Sequence, residues 1–380
     1  MARTARRTNC STGTSSSRGR CASIGRRGRM NRPEAAAPRQ ANVNNFDLIR
    51  LFAASEVAVK HGLVHLGFGV GWLEAISYLP GVPIFFFISG FLIYQSFLNS
   101  DRLGIFAANR VYRLFPALYL CLALSVALVA AFGALTWAEV LSPQFWIWLG
   151  AQGTIAQFYN PDFLRDFGIG VVNGSLWTIS VELQFYILTP MLAWIVSRFK
   201  PIWAIGILVS LAANLLLSSL DPEATRSKLL MVTFLPWFYM FMTGAWLASR
   251  RDLVQRIANL PWLVTLAIFI GAILLSKVTG LGATGNGIGP VAFVGVVFVI
   301  LKCAYSMPDL SDRLLRRNDI SYGIYIYHML AVNAAVALGL TGQLWAFFAA
   351  MAVTVVVALL SWRLVERPAL QAKKRTLRQV

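Results

Sequence analysis

Acid is what this chain has little of. Sixteen Asp and Glu stand against 34 Lys and Arg in 380 residues, a formal net charge of +18. Charged residues of both signs make up only 13%, about half the share of a soluble domain. A soluble enzyme is therefore excluded once the long apolar runs below are counted. Histidine (three) and cysteine (four) are also scarce, and their spacing forms neither a metal-ligand cluster nor a disulfide framework. Phosphate-binding Walker loops and dinucleotide loops are missing, so no bound cofactor is expected. Short alternating segments are missing too, which excludes a transmembrane barrel. The excess positive charge lies in short loops and tails. That placement argues against nucleic acid and for anionic lipid headgroups as its partner. Residues 1–40 hold ten arginines and no apolar core of a secretory signal. Residues 1–42 therefore read as a disordered cytoplasmic tail, with translation from Met30 as the alternative.

What the chain does have is apolar length. Hydrophobic residues make up 57%. Apolar runs fall near 46–66, 78–98, 114–134, 175–197, 201–220, 229–248, 261–277, 289–306, 320–340 and 344–362. The fold class is all-α: a polytopic membrane bundle of about ten helices. Residues 43–368 form the membrane domain and 369–380 a second basic tail. A shorter run at 144–158 decides the orientation of everything after it. If it does not cross, 28 Lys and Arg lie inside and four outside; if it does, the count is 17 against 15. The positive-inside rule favours the first arrangement. Both termini are then cytoplasmic, and the loop 135–174 is external.

Few ionisable groups lie inside these runs, and by default they mark function. Arg50 and His61 are eleven residues apart, three turns of one helix. They share a face at a separation of roughly 16–17 Å. The topology puts Arg50 near the inner surface and His61 in the outer half. Glu182, in the fourth run, falls at the depth of His61, so the two are expected to pair. Such a pair is either a carboxylate-supported general base or a structural link between helices. Arg110 and Arg113, three apart, precede the third run on the cytoplasmic side. They suit polyphosphate oxygens, or they form a topogenic cluster. Ser89, Trp177, Tyr325 and His328 are further residues expected to line a cavity. Ser89 has no base placed beside it by sequence, and Glu366-Arg367-Pro368 reads as a helix stop.

Six motifs occur in order: Phe46-Asp-Leu-Ile-Arg50 followed by His61; Phe85-Phe-Phe-Ile-Ser-Gly-Phe-Leu92; Arg110-Val-Tyr-Arg113 with Pro116; Leu176-Trp-Thr-Ile-Ser-Val-Glu182-Leu-Gln-Phe-Tyr186; Ser321-Tyr-Gly-Ile-Tyr325 with His328; and Glu366-Arg-Pro368. In this order the chain resembles the type 3 acyltransferases, bacterial membrane proteins that O-acylate sugars and related acceptors. The resemblance implies a ten-helix core in the bacterial cytoplasmic membrane. It also implies acyl-CoA, acetyl-CoA by default, as co-substrate, and a saccharide or other hydroxyl acceptor outside. It makes His61 the catalytic residue and gives Arg110 and Arg113 a donor-binding role; on the physical reading, Arg50 joins them on the donor phosphates and Glu182 orients the His61 ring. A transporter or flippase of an anionic lipid-linked sugar, with a His61–Glu182 proton relay, is the reading from a different class.

Overall fold

The computed structural model describes residues 44–376, apart from positions 70, 72, 101, 308 and 317. The tail expected at 1–42, with Met30, lies outside the described residues. Every regular element among the described residues is a helix. Ten of these helices carry the ten apolar runs. They are α1 (Phe46–His65), α2 (Gly81–Leu98), α3 (Leu103–Ala131), α4 (Trp177–Val196), α5 (Ile202–Ser219), α6 (Phe238–Ala248), α7 (Trp262–Thr279), α8 (Pro290–Tyr305), α9 (Ser321–Ala337) and α10 (Leu344–Ser361). A last helix, α11, spans Arg367–Thr376.

Six of the described helices are long and apolar enough to cross a bilayer, or seven if Thr225–Met231 and the bent segment Leu235–Ala248 form one span. The other three runs miss for separate reasons. α8 and α9 have 16 and 17 residues. α1 has the length but carries Asp47, Arg50, Glu56 and Lys60. The short run at 144–158 holds a helix of 10 residues, Pro143–Gln152. At 1.5 Å per residue that is about 15 Å, half a hydrocarbon core.

Glycine lets the central helices touch. A Cβ on Gly90 of α2 would strike the Phe241 carbonyl of α6, and one on Gly244 of α6 would strike the Phe87 carbonyl of α2. Two reciprocal small residues thus bring two backbones together, the usual device where no hydrophobic effect separates helix from lipid. α9 lies at the centre. Its residues Ser321 to Leu330 are all buried, between α1 on one side and α10 on the other. Buried amides tie loops to this frame. Asn333 of α9 accepts from the Ile169 N–H at 2.9 Å and donates to the carbonyls of Val171 and Val172 at 3.0 Å. Asn45 donates to the carbonyls of Ser306 and Met307 and accepts from the Ser311 N–H, fixing the start of α1 to the end of α8. All of their polar capacity faces protein, as burial demands.

The helix stop expected at Pro368 is corrected. After α10 the chain makes a π-helical turn, Trp362–Glu366, and continues as α11 with Pro368 at its second position. The wider turn already shifts the backbone hydrogen-bond register there, so the N–H that proline lacks is not needed.

Candidate active site

Residues from five of the six motifs meet in one cavity of about 410 Å³. It is lined by Arg50 from α1, Asn109, Arg110 and Arg113 from α3, and Leu370 and Lys373 from α11. Ser89, Phe85 and Phe86 from α2, Glu182 and Tyr186 from α4, and Tyr322 and Tyr325 from α9 line it too.

The three arginines are not equivalent. Asp319, just before α9, accepts from the Arg113 guanidinium and lies 3.9 Å from that of Arg50. Its other oxygen accepts from the Ser321 N–H at 3.2 Å and the Ser321 hydroxyl at 2.5 Å, tying the carboxylate to the first residue of α9. Burial pushes the Asp319 carboxyl up, but Arg113 and Arg50, together with the Ser321 bonds, hold it below the ordinary carboxylate value. One carboxylate thus clamps α1, α3 and α9 together. Arg110 has no carboxylate partner among the described residues. It donates to Ser96 Oγ at 3.2 Å and stands 5.8 Å from the Tyr186 ring and 5.9 Å from the Phe106 ring.

The pairing of His61 with Glu182 is corrected. Glu182 instead accepts from the Tyr186 hydroxyl at 2.6 Å and from Ser89 Oγ at 3.1 Å. His61 meets His328 of α9, with Nδ1 and Nε2 2.9 Å apart. Depth in the membrane gave the two groups one level, but it says nothing of azimuth. α4 packs against α2 and α3, whereas α1 packs against α2 and α9. His328 is fully buried, and its Nδ1 lies 3.3 Å from the Ile324 carbonyl, which can only accept. That contact puts a proton on Nδ1 and leaves Nε2 as an acceptor. His61 must then donate from Nδ1, which leaves its own Nε2 with a free lone pair. His65 stands one turn beyond, its ring 5.7 Å from that of His61.

Of the four other expected cavity residues, Ser89 and Tyr325 line the cavity. His328 does not; it lies behind Tyr325. Trp177 does not either: its ring packs at 5.4 Å on Trp237. Tyr325 marks the boundary. Its hydroxyl bonds Thr178 Oγ1 at 2.7 Å, and its ring touches Phe85 at 5.3 Å on the cavity side and His328 at 6.1 Å on the other. His61 is likewise not among the lining residues, so the shared face of α1 leaves Arg50 on the cavity and His61 off it.

Sequence reasoning missed Asp319, although an acid just ahead of an apolar run can bond the first N–H groups of a helix, as Asp319 does at Ser321. It saw Lys373 only as tail charge.

Against known families, a model of the acyltransferase domain of the third type matches residues 43–363. The chain belongs to the type 3 acyltransferases. It is 34% identical to Nodulation protein 10 of Rhizobium leguminosarum bv. viciae, over 87% of this chain and 94% of that one. It is 29% identical to the O-acetyl transferase of Shigella phage Sf6, over 85% and 95%. A more distant relative is the peptidoglycan O-acetyltransferase OatA of Listeria monocytogenes, 24% identical over 76% of this chain and half of that protein. No solved structure matches it. The chain is thus a membrane protein with several apolar helices and an enzyme that transfers acyl groups. The transporter reading also loses its His61–Glu182 relay.

Proposed function

We propose that this type 3 acyltransferase takes an acyl group, acetyl by default, from cytoplasmic acyl-CoA and esterifies a hydroxyl of an extracytoplasmic saccharide or similar acceptor. The observation that carries this reading is the cationic cavity separated by one tyrosine from a neutral imidazole pair. Names of relatives that are O-acetyltransferases support the reaction type. Both termini are placed in the cytoplasm by charge bias, which makes the cavity with Arg50, Arg110 and Arg113 the donor side.

The chemistry follows from the hydrogen bonds. His328, held by Ile324, fixes the tautomer of His61 and turns its Nε2 lone pair outward. The thioester reaches His61 when Tyr325 swings off Thr178. Nε2 then removes the acceptor hydroxyl proton as the oxygen attacks the thioester carbonyl. Collapse of the tetrahedral intermediate breaks the C–S bond, and the imidazolium returns the proton to the CoA thiolate. Glu182 acts from the cavity, holding Ser89 and Tyr186, rather than on the imidazole.

The test is purified protein in sealed vesicles with radiolabelled acetyl-CoA on one side and an oligosaccharide on the other. Labelled ester should form only with donor on the Arg110 side. Ester formation with donor and acceptor both confined to the opposite side would contradict the reading. Thiol labelling of Ser142→Cys and Asp162→Cys should occur from the acceptor side; labelling from the donor side alone would overturn the topology.

A further inference from the structure

Thr178, Glu182 and Tyr186 follow one another at intervals of four along α4, so they form one stripe, and all three line the cavity. At 1.5 Å per residue each step is about 6 Å. The stripe has an order. Thr178 Oγ1 holds the Tyr325 hydroxyl at 2.7 Å, and the Tyr325 ring stands 6.1 Å from that of His328. Tyr186 lies at the other end, its ring 5.8 Å from the Arg110 guanidinium. Glu182 is midway, a carboxylate between a cation and the tyrosine that adjoins the imidazoles.

Both hydrogen bonds to Glu182 among the described residues fall on one oxygen. Oε1 accepts from the Tyr186 hydroxyl at 2.6 Å and from Ser89 Oγ at 3.1 Å. Each hydroxyl has a single proton, and each spends it there. Oε2 takes no bond among the described residues and is not enclosed by protein, so its lone pairs open on the cavity. A carboxylate oxygen held so far from bulk water is costly until a donor meets it. It repels phosphate and suits an N–H.

Resting on the acyl-CoA reading above, we infer that Glu182 Oε2 accepts an amide N–H of the pantetheine arm and so holds the donor in register between Arg110 and Tyr325. Along acyl-CoA the order is phosphates, then the two amides of the arm, then the thioester. The stripe repeats it: cation, carboxylate, tyrosine. Phosphate is repelled by Glu182, and a thioester has no proton to give. The amides are the N–H donors that lie between those ends. The adenine amino group lies beyond the phosphates, away from the thioester. Ser89 and Tyr186 fix the carboxylate from behind, which leaves its free oxygen aimed at the arm.

Kinetics on the full chain test this from the ligand's side, where the fold is untouched. The donors are acetyl-CoA, acetyl-pantetheine, and two acetyl-pantetheine analogues, each with one amide N–H replaced by an ester oxygen. With the wild type, one of the two esters should raise KM about tenfold over acetyl-pantetheine, the size of one charge-assisted bond, at unchanged kcat. Glu182→Gln keeps an oxygen for Ser89 and Tyr186 but turns an NH2 to the cavity. It should raise KM about tenfold for acetyl-CoA and acetyl-pantetheine alike, and it should no longer distinguish that ester from the amide. Wild-type KM values equal for the amide and both esters would overturn the assignment, and this result needs no variant to fold. So would an unchanged KM in Glu182→Gln, or a variant that still rejects the ester as the wild type does. A loss with acetyl-CoA but not with acetyl-pantetheine would move the contact to the nucleotide and overturn it too. All of these leave the acyl-CoA reading standing. Failure of the wild type to use acetyl-CoA at all would sink that reading, and the inference with it.

Discussion

Arg50 and His61 lie on one face of one helix, yet their surroundings follow opposite rules. At the Arg50 end, charge meets charge: two guanidiniums share the Asp319 carboxylate. At the His61 end no carboxylate takes part among the described residues. The imidazole meets a second imidazole, itself anchored to a backbone carbonyl. The first arrangement builds rigidity and leaves Arg110 on the cavity wall without a carboxylate partner among the described residues. The second builds a neutral, tautomer-fixed base. Buried ion pairs hold well only when both partners remain, and a base works only if its lone pair is left open. The two ends therefore break in different ways.

The largest expected effect is on the base. His61→Ala should lower turnover by about 10²–10⁴-fold with little change in folded yield, read by ester formation. Next is the clamp. Asp319→Ala leaves two partly buried guanidiniums without their carboxylate, and should cost about 3–5 kcal/mol of stability. Thermal unfolding in detergent would show it as a loss of folded protein before any kinetic change. The sign with pH is defined: the folded-state carboxyl is depressed below its unfolded value of 3.8. The clamp's contribution is therefore full above about that value and lost as pH falls through the folded one. Asp319→Asn should remove this acid-side loss. A smaller effect is expected for His328→Ala, about 10-fold to 100-fold in kcat with donor KM unchanged, because it orients His61 without touching substrate. His328→Gln, whose amide can accept from His61, should recover part of it. If His328→Ala shifts donor KM instead, the two ends are not separate. Smallest is the contrast between arginines. Arg110→Lys should raise donor KM several-fold by losing the fork. Arg113→Lys should act chiefly on melting temperature.

Much of this was legible in the sequence. Each apolar run carries a helix, and six or seven of these helices are long and apolar enough to cross a bilayer, because that depends on little beyond length and composition. The Arg50–His61 spacing gave a true common face, because both lie on one helix and 3.6 residues per turn decides it. The failures share one cause. Pairing His61 with Glu182 used depth, one coordinate of three, and helix neighbours are decided by non-local packing. His328 stood in the sequence as a cavity residue, but its pairing with His61 requires α1 beside α9. Trp177 was placed in the cavity by its motif alone, and its ring has Trp237 to stack on. Lys373 was hidden because Pro368 looked like an ending, and only the π-helical turn allows the helix to continue.

Donor binding and proton abstraction belong to separate ends of α1 in this reading. Acetyl-CoA affinity measured on purified His61→Ala tests it most directly. The account predicts a Kd equal to that of the wild type in a protein that forms no ester. A Kd weakened in parallel with turnover, or ester formation at the wild-type rate, would contradict it.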